Sequence, residues 1–499
     1  MLNYFASVLG LPKPIVFIIF MCFIYFLYWL YIKNGRFNRY KTGKIATSGF
    51  AELKELKKFN KNDGIQLSKD FSLTEKMCFE HICVIGPTGA GKTTSIFYPN
   101  LLQPNSFSSG RSSIIITDPK GELYKDTSSY QERLGRNTVL FAPLEPQFSF
   151  KYNPLEYCKD VSEVIDLAGN LLAVGGKAVE LQSGKSGGND ANWINMGKPL
   201  IAAALLYVWY KPKGLNTIAN ALDLITNTTD EQLSNLLGKS KHPDVVRQFN
   251  SFNQATGSEK TVSSIKITLA SNLQIYTDPT IRELTSRNTF NLAELRRNPT
   301  ALYISYPERH AARIAPLLSI FFTQAINELM DDVNLKGDYL PTYFLFDEFA
   351  NIGQIPGFST LASTVRSRKI SFLCCLQSKN QLRSVYGKFD EDILANLKTK
   401  AIYGALQDTT TTRYVSDLCG ETEIRVASRS VSDNLNRADS HNFSTTKKKL
   451  LAPDEVMRIS KDKILLLVHN NKPYLSKVNP FYKNKSYTNN IRQRNKTIV

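Results

Sequence analysis

The stretch Val84-Ile-Gly-Pro-Thr-Gly-Ala-Gly-Lys-Thr-Thr94 decides the fold of this chain. Gly86, Gly91, Lys92 and Thr93 fill the pattern G-x-x-x-x-G-K-[ST] of a phosphate-binding loop. Glycines at these places let backbone N–H groups converge on phosphate oxygens without a Cβ in the way. The chemistry of a bound triphosphate therefore explains both the residue types and their spacing.

The sequence on both sides of the loop supports this interpretation. The apolar run 81–85 predicts a buried strand, and residues 93–102 predict a helix that Pro99 should end or kink. The helix N-terminus adds a partial positive charge at the phosphates, Lys92 should reach the β- and γ-phosphates, and the Thr93 hydroxyl should bind Mg²⁺. The alternative, a glycine-rich turn with a chance lysine, leaves the order of strand, loop and helix unexplained. We assign nucleotide binding to Gly86, Pro87, Thr88, Gly89, Ala90, Gly91, Lys92, Thr93 and Thr94.

A second acidic motif follows a later apolar run. Residues 343–346 are apolar, and Asp347 and Glu348 come directly after them. In a nucleotide hydrolase, Asp347 would join Thr93 in the Mg²⁺ site, and Glu348 would accept a proton from the attacking water. The alternative is a strand that ends in a solvated acidic turn, which loses weight because a phosphate-binding loop lies upstream.

Four further residues are candidates for roles at the same site. Gln377 follows the predicted strand 370–376 and could contact the γ-phosphate, or it could cap a turn. Arg366 or Arg368 could reach the γ-phosphate of a neighbouring subunit, or both could be surface charges. Asp118 follows the apolar run 113–117 and could sense magnesium or nucleotide, or cap the next turn.

The length, the net charge and the cysteine spacing limit the classes of protein to which this chain can belong. A chain of 499 residues exceeds one hydrophobic core, so two or more domains are expected. The net charge of +18 suggests an anionic partner, which is nucleic acid, anionic lipid or both, although basic surfaces also serve solubility. The seven cysteines form no C-x-x-C pair, which favours reduced thiols over zinc or disulfides.

The N-terminal region predicts a membrane anchor. Residues 15–32 carry no charge. The length of this run is at the lower limit for a membrane-spanning helix. The run lacks the small-residue cleavage site of a signal peptide. Basic residues are concentrated after the run, so the N-terminus should lie outside and the large body in the cytoplasm. They are Lys33, Arg36, Arg39, Lys41 and Lys44, whereas Lys13 alone precedes the run.

The order of apolar runs predicts an α/β fold. Strands that alternate with helices imply a mostly parallel sheet that is buried on both faces. Helical periodicities without strong strand patterns indicate an all-helical insertion, and the sheet resumes near residue 300. We predict a mobile loop at 428–449. The predicted domains are a membrane anchor (1–45), a nucleotide-binding domain in two parts (46–177 and 286–480), a helical insertion (178–285) and a basic disordered tail (481–499).

These motifs, in this order, resemble the type IV secretion coupling proteins, the TraG-like conjugation ATPases. The resemblance covers about residues 40–480. Its most specific part is Thr117-Asp-Pro-Lys-Gly-Glu-Leu123, and it also includes Phe346-Asp-Glu-Phe349, Leu376-Gln-Ser378 and the segment 450–457. The phosphate-binding loop alone is less specific, because many hydrolases share it.

The resemblance implies a RecA-like P-loop domain with an inserted all-helical domain, behind a single transmembrane helix. It implies a ring of six subunits at the inner face of the cell membrane, which brings relaxase-bound DNA, single- or double-stranded, to the secretion channel and drives transfer with ATP and Mg²⁺. Carried over by position, Asp347 and Glu348 are the magnesium and water-activating pair, Gln377 is the sensor, and Arg366 is the favoured finger. The helical insertion would face the cargo.

Two departures from the family and three rival interpretations remain. Many relatives have two spans, whereas this chain shows one, and some end in an acidic tail, whereas this tail is basic. The rivals are a docking receptor that binds nucleotide without pumping, a DNA translocase of the FtsK type, and a transporter whose cargo is protein alone.

Overall fold

The computed structural model describes residues 46–183, 190–430 and 440–496, together with a few residues between 12 and 26. The predicted membrane span at 15–32 lies almost entirely outside these residues. Among the helices of the described residues, none is both long enough and apolar enough to cross a membrane.

The chain divides into two compact units. The first contains residues 1–49 and 420–450, and the second contains residues 50–419 and 451–499. In chain order the strands are β1 (Asn60–Gln66), β2 (Ser72–Leu73), β3 (Ile82–Ile85), β4 (Ser113–Asp118), β5 (Asn137–Phe141), β6 (Thr300–Ser305), β7 (Thr342–Phe346), β8 (Ile370–Leu376), β9 (Thr399–Tyr403), β10 (Glu421–Ser430), β11 (Ser440–Lys449), β12 (Lys463–Val468) and β13 (Tyr474–Lys477). Runs of β-branched, aromatic and other apolar residues form the central strands of the second unit, whereas β1, β10 and β11 are mostly polar.

A sheet of nine strands forms the centre of the second unit, within the residues that the structure describes. The strand order is β13-β12-β9-β3-β8-β7-β4-β6-β5, and the seven strands from β9 to β5 run parallel. An antiparallel pair, β12 and β13, closes one edge. Strands β3, β4, β6, β7 and β8 are buried along their whole length, as parallel strands covered on both faces require. The α/β class and the parallel sheet are confirmed.

The strand order places the candidate site. Strand β8 lies between β3 and β7, with Ile85 beside Leu376 and Phe346 beside Cys374. Because the three strands are parallel, the loops that leave their carboxyl ends meet at one edge of the sheet. These loops carry the phosphate-binding motif, Asp347 and Gln377.

Helices cover the sheet and form a separate helical region between β5 and β6. This region begins at Val161, before the predicted boundary at 178, and α4 packs both on α5 of the helical region and on α11, which follows β6. Because α4 contacts both the helical region and a helix of the nucleotide-binding part, the predicted boundary at residue 178 stays a prediction. The helices are α1 (Glu75–Cys78), α2 (Tyr98–Leu101), α3 (Glu122–Arg133), α4 (Val161–Ser183), α5 (Asp190–Trp209), α6 (Ile218–Thr226), α7 (Asp230–Leu233), α8 (Pro243–Ala255), α9 (Glu259–Asn272), α10 (Pro279–Leu284), α11 (Ala311–Met330), α12 (Phe358–Thr364), α13 (Lys379–Tyr386), α14 (Asp390–Asn396), α15 (Thr409–Cys419), α16 (Pro453–Met457) and α17 (Lys485–Thr488).

The helix after the phosphate-binding loop is irregular, as Pro99 predicted. A π-helical turn, Thr93–Phe97, leads directly into α2, which carries Pro99 in its first turn and ends at Leu101. Pro99 has no N–H to donate. The π turn before it, in which the Tyr98 N–H donates to the Thr93 carbonyl, already interrupts the regular hydrogen-bond ladder, and the helix ends two residues after Pro99.

The predicted mobile loop at 428–449 is wrong where the structure describes it. Strands β10 and β11 form a regular antiparallel ladder, from Glu421 opposite Lys449 to Ser430 opposite Ser440. Residues 431–439 lie outside the described residues. The segment is polar, but a ladder needs only backbone N–H and C=O groups, and a polar surface on both faces does not prevent it.

The predicted disordered tail is also wrong over residues 481–496. A 3₁₀ turn, Phe481–Lys483, precedes α17, and the Tyr487 side chain is buried. The Arg494 guanidinium forms an ion pair with Glu132 of α3. Lys496 likewise pairs with Glu145, so two of the basic residues that suggested a free tail are held by acidic side chains of the second unit.

Candidate nucleotide site

The phosphate-binding loop has the predicted open conformation. Gly89 and Gly91 have φ angles of 75° and 86°, a region that favours glycine. Gly86 is needed for another reason, because a Cβ there would lie 2.8 Å from the Tyr403 Cβ on the neighbouring strand β9. Lys92 is buried, and its Nζ donates hydrogen bonds to the carbonyl oxygens of Gly86 (2.7 Å) and Pro87 (3.3 Å). The remaining loop residues Thr88, Gly89, Ala90, Gly91, Thr93 and Thr94 line one cavity with Lys92.

The two predicted magnesium ligands lie side by side. Thr93 Oγ1 donates to the Asp347 carboxylate and lies 3.0 Å from Oδ1 and 2.9 Å from Oδ2. Thr93 and Asp347 are separated by more than half the chain, so this contact is made by the strand order. A hydroxyl and a carboxylate at this distance are the oxygen donors that Mg²⁺ takes in P-loop proteins.

Burial and neighbouring charges control the Asp347 carboxyl. Desolvation raises its pKa to about 7, and the Glu348 and Asp118 carboxylates act in the same direction. The hydrogen bond from Thr93 and the charge of Lys92 oppose the shift. A divalent cation at this place would relieve the clustering of negative charge, which is an argument that the residues present fit Mg²⁺.

Glu348 and Gln377 also meet, as predicted for a water-activating residue and its sensor. Glu348 Oε1 accepts hydrogen bonds from Gln377 Nε2 and from Gln381 Nε2, the latter at 3.1 Å. Gln381 Oε1 in turn accepts from the Gln377 backbone N–H at 3.0 Å. The carboxylate is thus held by two amides at the rim of the cavity.

Of the two roles that the sequence left open for Asp118, the structure shows capping, and a role in sensing magnesium or nucleotide stays a prediction. Its Oδ2 accepts from the Tyr124 backbone N–H at 2.8 Å, so it caps the turn that leads into α3. The carboxyl group also lines the nucleotide cavity, and burial raises its pKa to about 6. Capping is the contact that the structure shows.

The two candidate arginines lie at the other end of strand β8 from Gln377. Both belong to the 3₁₀ turn Val365–Arg368 that precedes this strand. Arg366 forms an ion pair with Glu80 (2.7 Å), and Arg368 forms one with Asp332 (3.3 Å). Neither arginine lines the nucleotide cavity.

Three residues at this site were missed by sequence reasoning. The Thr117 hydroxyl accepts from the Asp347 backbone N–H at 2.8 Å and so positions that strand end; it lies within the quoted family motif, but no role was assigned to it. Gln381 follows Gln377 by one helical turn, a spacing that could have suggested a joint role. Tyr306, directly after β6, is 2% exposed, and its hydroxyl has no hydrogen-bond partner among the described residues.

The cavity that joins these groups measures about 610 Å³. It is lined by the phosphate-binding loop, by Asp118, Asp347, Glu348 and Gln377, and by residues of the C-terminal segment 478–483. Backbone N–H groups and a lysine face acidic residues that suit a divalent cation, so the cavity fits a nucleoside triphosphate and magnesium together.

The parallel sheet and this site define a P-loop NTPase fold, with one further strand, β8, between the phosphate-binding strand β3 and the strand β7 that precedes Asp347. Residues 41–498 match the family described as "Type IV secretory system Conjugative DNA transfer". The chain belongs to this family, which confirms the resemblance stated above.

Individual relatives agree with this assignment. The protein VirD4 of Agrobacterium fabrum (strain C58 / ATCC 33970) is 27% identical over 408 residues, which are 79% of this chain and 57% of VirD4. The conjugal transfer protein TraG of Escherichia coli is 26% identical over 413 residues, which are 76% of this chain and 62% of TraG. The chain thus spans less than two thirds of the length of these relatives.

Solved structures agree at the level of the fold. The plasmid coupling protein TrwB, in complex with the non-hydrolysable ATP analogue ADPNP, superposes with a TM-score of 0.65 at 15% identity. The match covers 88% of this chain and 96% of the TrwB chain. At this identity the likeness establishes the fold.

Proposed function

We propose that this protein is an ATPase that couples DNA to a type IV secretion channel during conjugative transfer. The observation that carries the proposal is the meeting of Lys92, Thr93, Asp347, Glu348 and Gln377 in one cavity. Membership of the family supplies the biological process. The TrwB structures in complex with ADPNP and with ADP and Mg²⁺ support the choice of ligands.

The chain's own residues suggest how hydrolysis would proceed. The loop N–H groups and Lys92 bind phosphate oxygens, and Thr93 and Asp347 would hold Mg²⁺, which stabilises negative charge on the phosphates. Glu348 would orient a water molecule and accept its proton as the water oxygen bonds to the γ-phosphorus. The bond from the γ-phosphorus to the β–γ bridging oxygen breaks, and ADP and phosphate are the products. Gln377 and Gln381 hold the Glu348 carboxylate, so they fix the direction in which it accepts the proton.

The proposal extends to the membrane and to assembly. The uncharged run 15–32 and the basic residues after it support a single membrane anchor with the bulk of the protein in the cytoplasm. The family resemblance supports a ring of six chains, a relaxase and channel components as partners. The excess of basic residues supports binding to DNA through phosphate contacts.

The first experiment measures ATP hydrolysis by the full-length protein in detergent, with and without single-stranded and double-stranded DNA, at two salt concentrations. We expect DNA to stimulate hydrolysis and the stimulation to fade as salt rises, because counterions compete for phosphate contacts. Lys92→Ala should abolish hydrolysis. Binding of DNA without any change in hydrolysis would contradict a DNA-driven motor.

A second variant separates the motor from a docking receptor. Glu348→Gln keeps the size of the side chain and its amide contacts but cannot accept a proton. A motor loses hydrolysis and DNA transfer in this variant while nucleotide binding remains. Transfer that persists in cells carrying Glu348→Gln would favour the receptor.

A further inference from the structure

The C-terminal segment 478–483 forms one wall of the nucleotide cavity. Val478, Pro480, Tyr482 and Lys483 line the cavity together with the phosphate-binding loop. The Val478 backbone N–H donates to the Asp462 carbonyl at 3.0 Å, which continues the pairing of β12 and β13 towards the site. The sequence alone predicted a disordered tail beginning at 481, so this wall was unexpected.

Contacts on both sides hold the segment against the helix that follows the phosphate-binding loop. The Phe481 ring stacks on the Tyr98 ring, with centroids 4.1 Å apart and planes at 17°. Tyr98 begins α2, and its hydroxyl donates to Asp126 at 2.8 Å. Downstream, the Tyr487 hydroxyl donates to Gln66 Oε1 at 3.0 Å. The segment is therefore fixed relative to the loop.

The cavity has two chemically different sides. Asp347, Glu348 and Gln377 lie at the carboxyl ends of sheet strands, where the terminal phosphate and the attacking water belong. The segment 478–483 follows β13, which lies on the opposite side of the phosphate-binding strand β3 from β8 and β7 in the sheet. Val478, Pro480 and the Tyr482 ring line the cavity there, together with the charged residues Lys461, Asp462 and Lys483. A nucleotide whose terminal phosphate points towards Glu348 places its base on this second side.

Tyr482 has the features of a stacking platform. The residue is 60% exposed, although it lies directly beside the half-buried Phe481, whose ring stacks on the buried Tyr98. Its ring meets Phe481 edge-on, with centroids 5.7 Å apart and planes at 77°. An aromatic ring held at its edge can offer a face to a planar ligand, and base–aromatic stacking is tolerant of base identity because every base has a π-face.

We propose that Tyr482 stacks on the base of the bound nucleotide, and that the segment 478–483 is the base subsite of this protein. This inference rests on the proposed ATP binding and adds the part of the ligand that the phosphate-binding loop does not contact. Stacking requires only the π-face that adenine and guanine both have, so the subsite binds adenine and guanine nucleotides with similar affinity.

The test measures the affinity of the full-length protein for ADP, GDP and inorganic pyrophosphate by calorimetry. The variants are Tyr482→Ala, Tyr482→Phe and, as a matched control, Tyr210→Ala, another partly exposed tyrosine that lies outside the nucleotide cavity. We expect Tyr482→Ala to weaken ADP and GDP by about tenfold and to leave pyrophosphate unchanged. Tyr482→Phe keeps the ring and should restore the affinity, and Tyr210→Ala should bind all three ligands like the wild type.

Three results would overturn the inference. Unchanged ADP binding by Tyr482→Ala would exclude stacking, and an equal loss of ADP and pyrophosphate would show that the tyrosine acts on the phosphates or on the fold. A wild-type protein that binds neither ADP nor pyrophosphate would overturn both this inference and the proposed ATP binding. The pyrophosphate measurement therefore distinguishes failure of the base subsite from failure of the proposed function.

Discussion

Asp347 shows at the scale of one residue how the fold sets chemistry. The folded protein holds its pKa at about 7, chiefly through burial, against an ordinary value of 3.8. Between these values the folded state binds more protons than the unfolded state, so the stability of the metal-free protein should fall as pH rises. An ionised Asp347 favours the binding of a cation, and it lowers the free energy of unfolding of the metal-free protein.

Asp347→Asn removes this charge while keeping the shape of the side chain. In the presence of a chelator, we expect the variant to melt above the wild type at pH 8, because it no longer ionises in a buried place. The difference should narrow as pH is lowered towards 5. Melting curves across this range test the prediction, and a difference that does not depend on pH would contradict it.

His81 is a buried histidine whose pKa is shifted in the opposite direction from that of Asp347. Its Nδ1 accepts from the Phe372 backbone N–H at 3.1 Å, and its Nε2 lies 2.8 Å from the Ala362 carbonyl, to which it donates. Burial lowers its pKa from 6.5 to about 4. The unfolded state therefore binds more protons between these values, and this contribution to stability, fully present above pH 6.5, is lost as pH falls towards 4.

His81→Asn tests this assignment. Asparagine tolerates the positive φ angle of 65° at this position but does not titrate. The variant should be less stable than the wild type at neutral pH, since both ring contacts are lost, and its stability should decline less steeply between pH 6.5 and 4. Denaturant unfolding at several pH values measures the slope; equal slopes would mean that His81 does not carry this dependence.

At the scale of elements, one glycine permits the close contact of two helices. A Cβ at Gly175 of α4 would lie 2.2 Å from the backbone oxygen of Asn272, the last residue of α9. Because the obstacle is backbone and not a flexible side chain, the two helices would have to separate. Overpacking of this kind costs about 1–3 kcal/mol.

Gly175→Ala should therefore destabilise the helical region, whereas Gly257→Ala, in the connection between α8 and α9, has open space around the new Cβ. We expect the control to be neutral or slightly stabilising, because it restricts the unfolded chain. Amide hydrogen exchange in α4 and α9 measures the effect locally. Similar exchange in both variants would show that the helices adjust without loss.

Strands were predicted correctly where their own sequence is an apolar run. They were missed where strand formation depends on contacts with neighbouring segments. Strands β3, β4, β6, β7 and β8 read as apolar runs because both faces are buried. Strand β9 contains Lys400, whose charge interrupts the run, although the side chain is buried and its Nζ donates to the Leu397 carbonyl at 2.9 Å. The ladder of β10 and β11 depends on a partner strand, which local composition does not reveal.

At the scale of the whole molecule, the position of Arg366 bears on assembly. Within one chain it pairs with Glu80, away from the nucleotide cavity, so a finger role requires a second subunit. In a ring, the arginine of one chain would then complete the site of its neighbour. This is a hypothesis from the family resemblance, and it predicts complementation between defective chains.

Mixing two inactive variants tests whether Arg366 acts on the nucleotide site of a neighbouring chain. Rings of Lys92→Ala or of Arg366→Ala alone should not hydrolyse ATP, whereas mixed rings contain interfaces with an intact loop on one side and an intact arginine on the other. We expect partial recovery of hydrolysis on mixing. Arg368→Ala, which loses the ion pair with Asp332, serves as the control and should stay active. Absence of recovery, with mixed rings shown to form, would exclude a finger that acts in trans.

The sequence by itself determined the fold class, the phosphate-binding loop, the acidic pair and the family, because each is carried by a short run of residues whose types are dictated by chemistry. The tertiary structure alone decided the direct contacts within the nucleotide site: the hydrogen bond of Thr93 to Asp347, the amides of Gln377 and Gln381 on Glu348, and the C-terminal segment as a wall of the nucleotide cavity. The reason is physical. Local sequence specifies backbone preference and burial, whereas contacts between distant segments depend on strand order, which emerges only when the whole sheet has packed.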